Sequence, residues 1–325
     1  MRFVKIVSIA LALLCLMLAL VSCKDKPNVT EDVYYTVTFN TAGGTQIESI
    51  RVLAGSKIGK PADPEKEGYI FSSWKNGTIP WDFENDTVNS DVTLNAVWLD
   101  VRNLFEYRVE DGEVILTGFK GGMLSVTTPS VIDGLPVVAI DDYAFDGLSS
   151  GTLGEITISE NIRSIGEGAF ADSSSLIIHV EAKPEYIGKK AFLNCERLES
   201  IELGSGLTEV PFEAFSGCTG LREVILSDTV EKIAENAFEL CSSLDTVVAH
   251  ETLRFVEDSA FVDCDALRAV CYYGTAEKWA ETEIAGGNYG NDTLRSAKLY
   301  IYSETEPAVE GDFWYFSKDG RIRVW

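Results

Sequence analysis

Histidine is almost missing from this chain: 325 residues contain two, His179 and His250. That leaves little from which to build an imidazole metal site or a His-centred acid–base pair. Cysteine is present seven times, yet no C-x-x-C occurs, so the usual thiolate metal knuckle and the paired redox motif are both absent. Positive charge is scarce as well. Lys and Arg number 27 against 51 Asp and Glu, a net charge of −24. A polyphosphate backbone would be repelled, which excludes nucleic acid as a partner. The many acids form no D-x-D-x-D-G calcium loop. Gly286-Gly287 lacks the Lys-Ser/Thr of a phosphate-binding loop, and neither G-x-S-x-G nor H-E-x-x-H appears. A Cys–His dyad would need one of the two histidines beside an exposed thiol. Carboxylate pairs are numerous by chance, and none stands out from the surrounding pattern. No catalytic residue, metal or cofactor is expected.

Long hydrophobic runs are also missing after residue 22. Before it, Arg2 and Lys5 precede an apolar run from Ile6 to Leu20. The run is short for a membrane span and sits where a targeting segment would. It closes Leu20-Val21-Ser22-Cys23, which resembles a bacterial lipobox. The resemblance implies that Cys23 is acylated and becomes the first residue after cleavage; ordinary secretion with cleavage nearby is the alternative. Cys15 leaves with the leader. Losing Arg2 and Lys5 would take the charge from −24 to −26. The bland reading of such an excess is a soluble, self-repelling surface.

What the chain has in quantity is repetition. Ala191-Phe192, Ala214-Phe215, Ala237-Phe238 and Ala260-Phe261 follow one another at 23-residue steps. Each Phe is followed three positions later by Cys195, Cys218, Cys241 or Cys264. A leucine follows at six positions (Leu198, Leu221, Leu244, Leu267) and a β-branched residue at nine (Ile201, Val224, Val247, Val270). Another β-branched residue stands five before each Phe: Ile187, Val210, Ile233, Val256. The frame reaches back to Ile165/Phe170 and Ile140/Phe145. One unit cannot bury its own apolar residues, so neighbours must stack and share a core. The expected fold is mainly β with short helical turns, a leucine-rich repeat solenoid. Each L-x-x-I-x-L segment supplies one strand, with Ile201 and Leu203 inward and Ser200 and Glu202 outward. The Ala-Phe segment should form a helical or 3₁₀ turn on the opposite wall. The cysteine column reads as small buried free thiols, although stacked neighbours would lie within disulfide reach.

A different unit precedes the repeat. Tyr35-Thr36-Val37-Thr38-Phe39 alternates like a strand, Gly43-Gly44 turns the chain, and Gly68-Tyr69-Ile70-Phe71-Ser72-Ser73-Trp74 and Val92 to Trp98 complete the pattern. This order resembles the Listeria–Bacteroides repeat, the internalin-type B repeat. The resemblance implies a small β-grasp fold, with Phe39, Phe71, Trp74 and Trp98 as core. From Val101 onward, the hairpin signal around Glu110-Asp111-Gly112-Glu113, the Ala-Phe units and the cysteine column resemble the BspA-like leucine-rich repeats. That likeness implies a bacterial surface protein binding host or microbial partners, without fixing which.

The expected organisation is a lipoprotein leader over 1–22, a lipidated tether over 23–33, the β-grasp repeat over 34–99 and the N-terminal part of the solenoid over 100–139. Repeats follow over 140–273, with a C-terminal cap and tail over 274–325. The expected function is recognition or adhesion at the bacterial cell surface. The protein would be monomeric, non-catalytic and held to the membrane by lipid at Cys23. Its ligands would be host or microbial proteins; a surface glycan-binding accessory role is the alternative. A candidate ligand face lies at the outward strand positions Glu202, Ile225, Val248 and Cys271, with Tyr273 two residues further on. That row turns from charged to apolar, as a partner site would. Strand propensity alone, or shielding by the C-terminal tail, would produce the same row.

Overall fold

Each 23-residue repeat makes one turn of a coil with three walls. The computed structural model describes residues 32–148, 153–286 and 290–325; the leader and Cys23 lie outside them. The chain divides into two compact units, one running through Pro64 and taking in Ser73–Val97, the other Glu65–Ser72 with Trp98–Trp325.

In the second unit, the first wall is the L-x-x-I-x-L strand. Ser200–Glu202, Glu223–Ile225, Thr246–His250 and Ala269–Tyr273 pair in parallel, placing Ile201 beside Val224, then Val247, then Val270. Alternation does the sorting. Ile201 and Leu203 are buried, while Ser200 is exposed and Glu202 half-exposed. The second wall is a row of two-residue strands, Glu209–Val210, Lys232–Ile233 and Phe255–Val256, again parallel. Val210, Ile233 and Val256 point inward from it.

The third wall carries Ala-Phe and departs from expectation. It is a series of turns, and no helix forms there. Two residues in every coil adopt positive φ, two before and two after the Phe: Lys190 and Asn194, Glu213 and Gly217, Asn236 and Leu240, Ser259 and Asp263. A left-handed residue ends a right-handed helical run, so two of them four positions apart leave no room for one. The strain is offset by a hydrogen-bond ladder between coils. The amides of Lys190, Phe192 and Asn194 donate to the carbonyls of Phe212, Ala214 and Ser216 at 3.1, 2.9 and 2.8 Å. Behind this ladder the phenylalanines from Phe145 to Phe261 form one column of near-parallel rings, with centroids 5.1 to 5.4 Å apart. Each ring is fully buried, which contributes about 1.5–3 kcal/mol per side chain.

The solenoid opens on the hairpin of Phe105–Glu110 and Glu113–Phe119. Asp111 and Gly112 both have positive φ, 49° and 80°, as a two-residue turn matching the strand twist requires. Its second strand pairs in parallel with Leu135–Ile140 and so begins the wall of short strands. At the other end, the sequence pattern fades after Val270 but the hydrogen bonding does not. Ile284 pairs beside Val256, and Leu299 beside Val270. One further coil is therefore present, longer than 23 residues and without the Ala-Phe signature. Asn291 closes it. Its buried side-chain oxygen accepts from the Phe261 amide at 2.9 Å, where earlier coils use the next Ala carbonyl. Its side-chain nitrogen donates to the carbonyls of Glu257 and Ala285.

In the N-terminal module five strands lie in one sheet, in the order Ile50–Leu53, Tyr34–Asn40, Val92–Asp100, Tyr69–Asn76, Ile79–Pro80. Tyr34–Asn40 runs parallel to Val92–Asp100 and antiparallel to Ile50–Leu53. This arrangement is compatible with the expected β-grasp. Phe39 and Trp74 are buried and meet edge to face at 5.2 Å. Phe71 and Trp98, expected in the core, are only half-buried.

Candidate functional site: the outward face of the long strands

The outward face is built by period-two alternation across four coils and the extra one. Glu202, Ile225, Val248, Cys271 and Tyr300 share one register row. A second row, two residues on, holds His250, Tyr273, Tyr302 and Trp314. In that second row the frame places Ser227 one coil before His250.

The candidate ligand face is not open along its whole length. Val248 and Cys271 are buried, and with Trp314 they form a small apolar cluster separate from the main core. Ile225, Tyr273, Tyr300, Tyr302, Phe316 and Ile322 pack around it, half-exposed. The cover comes from the C-terminal strands Phe313–Phe316 and Ile322–Val324, which add to the edge of the same sheet. Trp314 is fully buried, and its indole nitrogen donates to the Tyr272 carbonyl at 3.4 Å. Val248 is thus corrected from a ligand-facing residue to part of a second core. Its apolar character satisfies Trp314 and is not available to a partner. Glu202, Ile225 and Tyr273 remain partly accessible, so only the ends of the stripe can meet a ligand.

Beside this cluster runs an aromatic ladder. The His250 imidazole stacks on Tyr273 with centroids 4.3 Å apart and planes 11° from parallel. Tyr273 meets Tyr302 at 4.4 Å. Trp314 closes against Tyr273 and Tyr302 edge to face at 4.9 and 5.2 Å. Burial pushes the Tyr273 hydroxyl up to about 12 and holds the His250 imidazole below its usual range. Near the start of the same strands, burial and the neighbouring Asp245 raise the Glu223 carboxyl. Burial then raises the Cys271 thiol to about 12, with Glu223 and Asp245 adding to the effect. These shifts follow partial burial at an acidic surface and, among the described residues, bring no nucleophile and base together. Among the described residues no group of three or more His, Cys, Asp or Glu is placed to hold a metal ion.

Three members of this site escaped the sequence reading: His250, Tyr302 and Trp314. A signal existed for two of them. Had the frame been carried one coil past Val270, allowing for an insertion, Tyr302 would fall in the row of Tyr273. His250 lies one 23-residue step before Tyr273. Trp314 gave no periodic signal, since it enters from a strand added after the coils end.

Comparison with known families resolves the repeat. The model for the BspA type leucine rich repeat region matches residues 137–271 in six copies. These residues are a BspA-type leucine-rich repeat region. A second model, the Listeria-Bacteroides repeat domain, matches residues 35–97. The two models divide the chain as the fold does, a β module followed by BspA-type coils. Neither is a catalytic family. The chain is similar to part of a protein of Evansella cellulosilytica named as a putative Gly-rich membrane protein, with 45% identity over 67 residues. A second protein of that organism, named as a membrane protein, is 43% identical over 67 residues. Each match covers 20% of this chain but only 8% and 10% of the relatives' own lengths. Among solved structures, the chain is similar to a T. pallidum leucine-rich repeat protein. The identity is 24%, the TM-score 0.47, and the match covers 62% of this chain and 96% of that one. A Bacteroides ovatus leucine-rich repeat protein matches at 19% identity and TM-score 0.30, over 61% and 69% of the two chains. A leucine-rich cell surface protein of Faecalibacterium prausnitzii matches at 14% and 0.24, over 57% and 97%. The extra coil and the Trp314 strand lie beyond the residues that the BspA-type model matches.

Proposed function

We propose that this chain is a bacterial cell-surface recognition protein, anchored by lipid at Cys23, that binds host or microbial proteins without catalysis. The BspA-type coils supply the scaffold and the outward face of the long strands supplies the contact. The supporting observation is the form of the aromatic ladder. Its broad rings spend their faces on each other, Tyr273 lying between His250 and Tyr302, and the face left at the open end is that of the small His250 imidazole. A sugar ring is best matched by a broad open indole or phenol face, whereas a protein surface can use ring edges, hydroxyls, one imidazole face and the half-exposed Ile225 beside them. The ladder therefore favours protein ligands over the alternative of a surface glycan-binding accessory. The net charge of −24 favours partners with a basic surface. We take the protein to act as a monomer.

The test is a parallel screen of the chain from Lys24 onward against a panel of host and bacterial surface proteins and against a glycan array. Binding to a protein, weakened at least tenfold by Ile225→Glu with cooperative unfolding retained, is the expected result. Binding confined to glycans would replace this reading with the alternative. Undiminished affinity in a folded Ile225→Glu variant would move the contact off this face.

A further inference from the structure

The aromatic ladder is complete at one end and open at the other. On the C-terminal side Trp314 closes it, edge-on to Tyr302. On the N-terminal side the stack ends at His250, because the residue in register one coil earlier is Ser227, and the one before that is Gly204. Ser227 is half-buried, while Gly204 is buried with the Lys183 and Pro184 backbone where a side chain would stand, so the imidazole looks onto a step one rung deep. The step is fixed rather than loose. The Ser227 and Thr229 hydroxyls hydrogen-bond at 3.0 Å, and Thr229 donates to the Leu207 carbonyl of the preceding coil at 2.9 Å. Ile225, half-exposed, borders it on the neighbouring row.

The charge around the step has one sign. Asp228 is exposed next to Ser227, and the fields of Asp228 and Glu251 both reach the imidazole. Glu202 lies further along the face and is already occupied by Lys183 at 2.6 Å. We propose that this step is a binding site for an arginine side chain of the partner protein. The guanidinium would lie on the free face of His250 as the next rung and pair with the Asp228 carboxylate. The inference rests on the recognition reading above and names the partner's anchoring chemistry. A guanidinium suits the step because it is planar, stacks on aromatic faces and pairs with a carboxylate through a fork of donors. An ammonium has neither the plane nor the fork. An uncharged imidazole is required, since a second cation would repel the first. Burial favours that condition by lowering the pKa of the His250 imidazole. The charged groups facing it, Asp228 and Glu251, work the other way and leave the burial effect dominant.

The chain's two histidines make the site directly observable. In an NMR titration of the full chain at pH 7.5 and fixed ionic strength, the ring protons of His250 and His179 report separately. His179 pairs with Glu155 at 3.1 Å on a strand of another sheet, so it serves as an internal control. N-acetyl-arginine amide should shift the His250 resonances in a saturable way and leave those of His179 in place. N-acetyl-lysine amide should give less than a third of that shift. Asp228→Asn, a change at an exposed position, should weaken the arginine response at least threefold. Ser227→Phe would supply the next rung from within the chain and should remove the response. Equal shifts with arginine and lysine, equal shifts at both histidines, or an undiminished response in Asp228→Asn would each overturn the proposal. A failed titration beside a successful protein screen would overturn the arginine step and leave the recognition reading standing.

Discussion

A thiol and a hydroxyl do the same job in this solenoid. The sulfurs of Cys195, Cys218, Cys241 and Cys264 each lie 3.0 to 3.1 Å from the carbonyl oxygen of the Phe one coil earlier. Ser173 donates its hydroxyl to the Phe145 carbonyl at 2.9 Å, and Thr293 to that of Phe261 at 2.9 Å. The column therefore selects small donors that satisfy a buried carbonyl. The smallness is legible in the sequence, because Ser173 stands three residues after Phe170 just as each cysteine stands three after its Phe. The sequence could not show the donor role, because that depends on where the preceding Phe carbonyl points. Asn291 was hidden for the same reason: its value lies in three bonds, two to the Glu257–Phe261 turn and one to Ala285. All five described cysteines are free and buried. Thiol titration of the denatured, unreduced chain from Lys24 should count five. The native chain should react slowly at pH 8, and a count near one would show bridges between coils. The pH dependence has a definite sign. Burial raises the Cys271 thiol from about 9 to about 12, so the folded state holds its proton where the unfolded chain would lose it. The stability contributed by this group is present below pH 9 and is lost as pH rises from about 9 to about 12.

At the scale of single strands, the structure redraws the outward face. Alternation correctly separated Ile201 and Leu203 from Ser200 and Glu202, because period two is a property of the strand itself. It could not tell whether an outward apolar residue meets solvent or a further layer. The row Ile225, Val248, Cys271 is apolar because Trp314 lies across its C-terminal part. The turn wall was misjudged for a related reason. Ala-Phe flanked by polar residues has a helical look, whereas the positive φ values at Lys190, Glu213 and Leu240 are imposed by the inter-coil ladder, which only stacking creates. Trp314→Ala tests the covering layer. Removing a fully buried indole should cost about 3–5 kcal/mol. It should also expose Cys271, so that one thiol per chain becomes rapidly reactive in the native state. A variant that melts like the parent and keeps Cys271 protected would show that the added strands do not cover this face.

For the molecule as a whole, the stacked architecture was legible because a solenoid repeats one local solution, and period is the most direct thing a sequence carries. Three exact 23-residue steps, linking four units, predict the coils, the parallel strands and the Phe column. The ends were less legible, since each is a single solution with no second copy to reveal it. The Asn291 cap and the strands that bury Trp314 are both of this kind. The far N-terminus is also unrepeated, but its chemistry is local. An apolar run from Ile6 to Leu20 stands just before Cys23 and a polar stretch from Lys24 to Asp32 follows it, the pattern on which the proposed lipid anchor rests. Among the described residues no helix is long and apolar enough to cross a membrane, so attachment by the rest of the chain would need another device. One acyl chain gives marginal, reversible binding, and durable anchoring takes at least two. A net charge of −24 also works against adsorption to an anionic surface. On the proposed anchoring, retention should depend on Cys23. In a bacterial host fed a labelled fatty acid, the parent protein should take up label and sediment with membranes. Cys23→Ala should take up none, and should appear in the medium or stall as an uncleaved precursor. Label incorporated at the parental level in Cys23→Ala would place the acyl group elsewhere and remove the anchor from this residue.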